Sequence, residues 1–379
     1  MLKGIHLTLL VGPIVPIPVP KVVLDALESV SVTSAAGSSS GFQMDFTLTS
    51  KSPLNNIFIL AAGTNGSFGV PPLRVILIVT IGNLPQVLFD GVMTNVEVQA
   101  GQRNTPGKLT ITGDDLTKVM DMQDFSGIPF PAMPVEARIA LIVAKYAVFG
   151  IIPIIIPLFF SDIPIPTDKI PAQKGTDLQY CKLLADQAGY VFYIEPGKIP
   201  GTNMAYFGPE IKIGIPQPAL NMDMDAQTNV ESLSFNFDST MGVLPVVFIQ
   251  NQLTRAPIPI PIPNINPLQP PLGLISTPIS NITFMKDTAK LSPMQAISAG
   301  LKEAAKSQDA VTASGTLDVL RYGRLLKARQ LVGVRGAGLL YDGLYFVKSV
   351  TSTIKKGEIK QSFNLTRNGL ISITPQVPA

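Results

Sequence analysis

Apolar and polar residues alternate with a period of two in several stretches of the chain. Phe42, Met44, Phe46 and Leu48 are apolar, and Gln43, Asp45, Thr47 and Thr49 between them are polar. Leu233, Phe235 and Phe237 alternate with Ser234, Asn236 and Asp238. Ile359, Phe363 and Leu365 alternate with Lys360, Ser362, Asn364 and Thr366, with Gln361 the one polar residue in the apolar series. Successive side chains of a strand point to opposite faces, so each stretch predicts a strand with one buried face. Arg74 to Ile81, RVILIVTI, is apolar on both faces and predicts a strand covered on both sides.

Helical periodicity is rarer. Asp114 can cap a short helix carrying Leu116, Val119 and Met120. Pro134 can open a second, with Val135, Ile139, Ile142, Val143 and Tyr146 on one stripe. A third runs from about Asp177 to Ala188 through Leu178, Cys181, Leu184 and Ala185, and Gly189 ends it. Ser292-Pro293-Met294-Gln295 fits a capping box for a fourth, with Met294, Ile297, Leu301 and Ala305 on one face. The 34 prolines and 31 glycines disfavour long helices, so the chain reads as mainly β.

Three segments alternate proline with aliphatic residues: Pro13 to Pro20, Ile151 to Pro166 and Ala256 to Pro271. Proline lacks an N–H, so these are expected to be extended and off the sheet ladders. The longest apolar run, Ala147 to Phe160, is interrupted by Pro153 and Pro157 and is shorter than the ~18 residues of a spanning helix. The N-terminus reads as a strand or arm, not as a signal peptide. Only 15% of residues are charged against a usual value of about 25%, and mean hydropathy is +0.33. A surface so poor in charge predicts apolar interfaces. The expected contact residues in the proline-aliphatic segments are Ile154, Ile156, Phe159, Ile258, Ile260 and Ile262.

The sequence also repeats itself. Val79 to Gly101 and Val332 to Gly357 each run through a strand, a short connection, an aromatic-Asp-Gly triplet and a valine-rich strand. The triplets are Phe89-Asp90-Gly91 and Tyr341-Asp342-Gly343, and Asp-Gly predicts a tight turn at each. The match sets Val92–Val98 against Leu344–Val350 and Lys108–Thr112 against Gln361–Thr366. It predicts two related small β-barrel modules.

Candidate chemistry is sparse. His6 stands in an apolar run with no nucleophile near it in sequence, and Cys181 lies on an apolar helical stripe. Asn221, Asp223 and Asp225 alternate as metal ligands can but lack the EF-hand pattern, and read as a solvated turn. Asp114 and Asp115 read as helix capping before glycoside hydrolysis. Gly333-Val-Arg-Gly336-Ala-Gly338 lacks the spacing of a phosphate loop. Arg321, Arg324, Lys327 and Arg329 are the densest basic group. They predict a solvated or inter-subunit face rather than sequence-specific nucleic-acid binding, since the net charge is only +3. No catalytic, cofactor or metal residue is expected.

The segment GTDLQYCKLLADQAGYVFYIEPG, Gly175 to Gly197, resembles a signature of the phage late control protein D and baseplate hub family. The matching positions are Asp177, Leu178, Leu183, Leu184, Gly189, Tyr190, Phe192 and Tyr193. The stretch from Met204 to Asp238, with Gly208-Pro209, is similar to that family's continuation. The stretch from Thr312 to Leu370 is similar to its closing β-module. The resemblance implies two tube-like β-barrel modules flanking an α/β domain. The boundaries would be an arm at 1–20, barrels at 21–113 and 229–379, and a hub domain at 114–228, with a proline-rich insertion at 253–292. It implies a non-enzymatic homotrimer joining a sixfold inner tube, or a tube-initiator protein, to a threefold spike. Other baseplate proteins would be further partners. The particle would be assembled in the bacterial cytoplasm. The chain has no room for the fused needle of the type VI spike protein, so the spike is expected to be a separate polypeptide. The competing readings are a membrane-interacting component, using the proline-isoleucine segments, and a tail-associated peptidoglycan hydrolase.

Overall fold

The alternating stretches become strands, and their apolar faces meet in one core. The computed structural model of the 379-residue chain describes residues 5–48, 58, 72–101, 106–158, 170–250, 256–263, 270–276, 278–286, 293–306 and 309–374. The first run of elements is β1 (Ile5–Gly12), β2 (Ile17–Pro18), α1 (Lys21–Ala26), β3 (Leu27–Ala35), β4 (Gly41–Leu48), β5 (Arg74–Ile81), β6 (Leu84–Gln99) and β7 (Gly107–Asp115). A middle run follows: α2 (Thr117–Met120), α3 (Val135–Ala144), β8 (Ile151–Ile155), α4 (Asp177–Ala188), β9 (Val191–Pro196), β10 (Asn203–Gly208) and β11 (Gln217–Asn221). Next come β12 (Val230–Phe237), β13 (Val243–Gln250), β14 (Pro257–Pro261), β15 (Gly273–Ser276) and β16 (Asn281–Phe284). The last are α5 (Pro293–Lys306), β17 (Val311–Asp318), α6 (Val319–Tyr322), β18 (Leu331–Arg335), β19 (Gly343–Lys355), β20 (Glu358–Arg367) and β21 (Gly369–Ser372).

The fold is mainly β. Thirteen strands form one sheet in the order β12-β17-β20-β19-β3-β4-β7-β6-β5-β1-β2, with β18 on β19 and β11 on β18. Phe42, Met44 and Phe46 of β4 share a core with Val350 of β19 and Phe363 and Leu365 of β20. Among the described residues no ladder closes a barrel, and the strands of the two ends of the chain meet edge to edge in the one sheet. Near the N-terminus, all of β1 pairs with β5. Gln361 interrupts the apolar face of β20 because it serves the backbone. It is 1% exposed, accepts from Leu326 N, and donates to Leu326 O and to Ser352 Oγ. A loop that would otherwise bury unpaired groups is thereby satisfied.

The middle run has its own core. Ile139 and Ile142 of α3 and Leu178, Cys181 and Leu184 of α4 pack with Phe192 and Phe207 of the small sheet β8-β10-β9. Thr176 caps α4 by accepting from Gln179 N, the Gln179 side chain returns to the cap, and Gly189 ends the helix at φ +70°. The expected Asp114 cap of α2 is absent: Leu116 stands at the cap position and makes no side-chain cap bond. Asp115, not Asp114, accepts from Thr117 N and from Ser40 N, tying the helix start to the loop before β4.

One buried ion pair joins the first block to the middle run. The Arg74 guanidinium donates to both Asp90 carboxylate oxygens at 2.7 Å and to Gly201 O at 3.1 Å. Asn203 Nδ2 donates to the same carboxylate at 2.8 Å. Asp90-Gly91 therefore is not the tight turn that its sequence suggests, because both residues lie inside β6, opposite Ile76 and Val75. Glycine is required at 91 because a Cβ there would stand 2.2 Å from Asp114 O and 2.5 Å from the Phe89 ring. Tyr341-Asp342-Gly343 is different. Its first two residues close a turn, Tyr341 N and Asp342 N donating to Gly338 O while the Asp342 carboxylate accepts from Ala337 N, and Gly343 has φ +121°.

The proline-aliphatic segments also depart from expectation, since each enters a ladder. β2 pairs with β1, β8 with β10, and β14 with β13. Prolines at alternate positions put every missing N–H on the same edge of a strand, so such a segment can pair on its other edge. In β14 the prolines stand opposite Gln250, Phe248 and Val246.

Two outcomes follow from this packing. Asp90→Ala leaves Arg74 buried without its partner, and urea unfolding should show a loss of about 3–5 kcal/mol. Gly91→Ala forces β6 away from β7, and the same measurement should show a loss of roughly 1–3 kcal/mol. A turn glycine there would instead make the alanine variant fail by backbone strain alone, leaving the Phe89 environment unaltered in aromatic NMR shifts.

Candidate assembly interface

The two blocks are built alike. Block one pairs its strands in the order β3-β4-β7-β6-β5, and block two in the order β12-β17-β20-β19-β18. Two ladder irregularities in each block also match. In block one, registers shift across Glu28 in β3 and across Thr94 in β6; in block two they shift across Glu231 in β12 and across Lys348 in β19. A bulge is a fixed point in a ladder, because the extra residue changes the facing of everything beyond it. Bulge against bulge sets Leu27–Val32 (LESVSV) on Val230–Phe235 (VESLSF). It sets Val92 on Phe346, two residues away from the match that the Asp-Gly triplets suggested. Thr112 then corresponds to Asn364, since the two pair with Asn95 and Ser349. The LESVSV/VESLSF pair is visible in the sequence at six adjacent positions, but only the ladder shows that its glutamates are bulges.

The duplication leaves two strand edges without a ladder partner among the described residues. They are the outer edge of β12, where the large sheet ends, and the edge of β6 beyond its pairing with β5. Thr94, Asn95 and Glu97 on β6 and Ser232, Ser234 and Asn236 on β12 are exposed polar residues along these edges, and Val98 on β6 is an exposed apolar one.

The expected apolar contact residues divide. Ile258 on β14 is 46% exposed, and Ile154 on β8 is also exposed. Ile156 is half-buried, its N–H donating to Phe207 O. Phe159 lies outside the described residues. Ile262 is buried at 4% with Val247 and Ala296, and Ile260 packs against them, so these two belong to the core beneath α5 and not to a surface. Ile297 and Leu301 of α5 complete that core; the side chains of Met294 and Ala305 lie outside the described residues. Residues outside the three proline-aliphatic segments extend the apolar surface. Ile282 and Phe284 on β16 are exposed, Phe284 stacks on Phe248 at 5.8 Å, and Leu274 and Ile279 are exposed nearby in the chain.

Little catalytic chemistry is gathered. His6 is exposed on β1. The Cys181 thiol is pushed well up by burial and by the Asp177 carboxylate. A cavity of about 410 Å³ lies between the Ala36–Ser39 loop, α4 and β9, with Asp115, Lys182, Tyr193, Lys302 and Phe346 on its wall. Burial raises the Asp115 pKa against the opposing hydrogen bonds from Thr117 and Ser40, and these bonds occupy the carboxylate structurally. Among the described residues no three His, Cys, Asp or Glu side chains are grouped to hold a metal, and no helix is long and apolar enough to cross a membrane. Of the basic group, Arg321, Arg324 and Lys327 are exposed. Arg329 is half-buried, lies 4.3 Å over the Tyr193 ring and donates to Ala35 O, which holds the junction of the two blocks against β9.

No protein-family model matches the chain, and no curated protein matches it in sequence. Solved structures do match over nearly its whole length. A tail protein from Neisseria meningitidis MC58 is 14% identical with a TM-score of 0.62, covering 97% of this chain and 98% of its own. The 43 kDa tail protein of prophage MuSo2 from Shewanella oneidensis is also 14% identical, with a TM-score of 0.57 over 96% and 98%. An E. coli component of the type VI secretion system, described as structurally similar to T4 bacteriophage tail proteins, is 9% identical with a TM-score of 0.51 over 93% and 78%. The duplicated sheet and the α/β middle run thus have the fold of phage tail and baseplate hub-like proteins.

Proposed function

We propose that this chain is a structural baseplate hub of a phage tail or a related injection system. In this reading it acts as a homotrimer that joins a sixfold inner tube to a threefold spike. The observation that carries the proposal is the internal duplication. Two blocks with the same strand order and two matching bulges each let three chains present six like units on one face. A matching ring of tube subunits can then be met unit for unit. Closed rings are also the form in which head-to-tail contacts avoid propagating into filaments. The likeness to tail proteins and to a type VI secretion component supports a structural rather than a catalytic role. The assembled chain would bind a spike and other baseplate proteins as a component of the particle. The expected barrel character of the modules would arise in the ring, where neighbouring blocks complete one another.

Native mass spectrometry of the purified chain should show three copies. A hub ring with six copies would give twelve blocks and overturn the adaptor reading. The apolar residues on the β14 and β16 strands are the proposed seat of a further partner. Replacing Ile258, Ile282 and Phe284 by Ser should reduce incorporation into particles at least tenfold and leave the thermal midpoint of the isolated chain within about 2 °C, because exposed substitutions cost little stability. Normal incorporation of that variant would remove this surface from the interface.

A further inference from the structure

The two blocks meet inside the chain in one specific way. β19 is longer than its partner β18, which covers only Gly343 to Phe346. The remaining half is covered on that edge by β3 of the other block, from Ser349 opposite Ala35 to Lys355 opposite Ser29. β6 has the same construction. β5 covers it as far as Val92, and Thr94 to Gln99 continue with no strand on that edge among the described residues. β12 is the counterpart of β3, and it ends the sheet. Each chain therefore carries one donor edge and one acceptor edge of the kind already joined within it.

We propose that β12 of one copy pairs antiparallel with Thr94–Gln99 of β6 in the next copy, repeating the β3–β19 contact between chains. The bulges give the register. Lys348 corresponds to Thr94 and Glu28 to Glu231, so the internal pair Ser349–Ala35 becomes Asn95–Asp238 across chains. Counting along the strands, Glu97 faces Asn236 and Val98 faces Phe235. The internal counterparts of the first of these pairs are Thr351 and Thr33, whose hydroxyls hydrogen-bond at 3.0 Å. A carboxylate opposite an amide can make the same kind of bond. Ser352, under β3, is only 2% exposed, whereas its counterpart Val98 is 49% exposed. A β-branched apolar residue on a bare strand edge is what an arriving strand would cover. Internal and cross-chain contacts then alternate around a closed ring. Only the number of copies in that ring rests on the hub reading above.

The test is a disulfide between copies of the full chain carrying Glu97→Cys and Asn236→Cys; the native Cys181 is buried and does not compete. The native mass of the untreated protein is read first. After mild oxidation, a non-reducing gel should show most of the chain as covalent multimers, ending at the size of the native assembly. Either substitution alone should leave single chains. The pair Thr33→Cys and Thr351→Cys should close within one chain and give no multimer. An assembled oligomer that fails to cross-link overturns the strand pairing and leaves the hub reading standing. So does equally efficient cross-linking by Glu97→Cys with Ser232→Cys, four residues out of register. A single-copy native mass overturns both.

Discussion

The ladder between β3 and β19 is the contact on which the architecture depends. It joins residues about three hundred positions apart and makes one sheet of what would be two. Strand pairing alone would not hold it, since a net backbone hydrogen bond contributes only about 1 kcal/mol. Burial on both blocks does the rest. Val30 and Val32 of β3 enter the same core as Val350 and Ile354 of β19. Arg329 clamps the end of the junction through Ala35 and stacks on Tyr193, so the middle run is held to the seam as well.

The Arg74–Asp90 pair plays the matching part at the other side of block one. A buried ion pair adds little net stability over an apolar substitute, because both charges must lose water. What it adds is direction. The carboxylate also takes the Asn203 amide, and the guanidinium also takes Gly201 O, so β5, β6 and the start of β10 are fixed in one relative placement. Apolar side chains of the same size would pack but would not single out that arrangement.

Period-two stretches were legible from sequence because burial on one face leaves its mark at every second residue. The boundaries of α4 were legible because Thr176 and Gly189 act locally. Asp90-Gly91 resembles a turn in sequence because a turn glycine and a close-packing glycine are identical letters. What distinguishes them is the Asp114 carbonyl arriving from another strand. A signal was present nonetheless: Arg74 in an otherwise apolar strand needs a buried partner, and Asp90 is the nearest acid inside an apolar context. Proline's missing donor predicts that the proline-aliphatic segments stay off the ladders, but the period of the prolines matters more than their number. Ile260 and Ile262 were read as surface because the helix that covers them lies thirty residues further on. The proposed interface shows in the sequence only as a shortage of charge, since an edge without a partner has no sequence pattern of its own.

The bulges at Glu28 and Glu231 bear on how such a chain is stored before it is used. A long straight strand with a bare edge is a template for any other strand, and concentrated protein would stack through it. β12 is interrupted near its start by Glu231, whose carboxylate is held by Lys360, and its exposed face carries serine and asparagine rather than valine or isoleucine. Kinked, acidic and hydroxylated, the edge is a poor partner for a random strand. A mate with the matching bulge on its own block would meet no such penalty. The same glutamate that marks the repeat would thus act as a safeguard against amyloid-like stacking during the interval between synthesis and assembly.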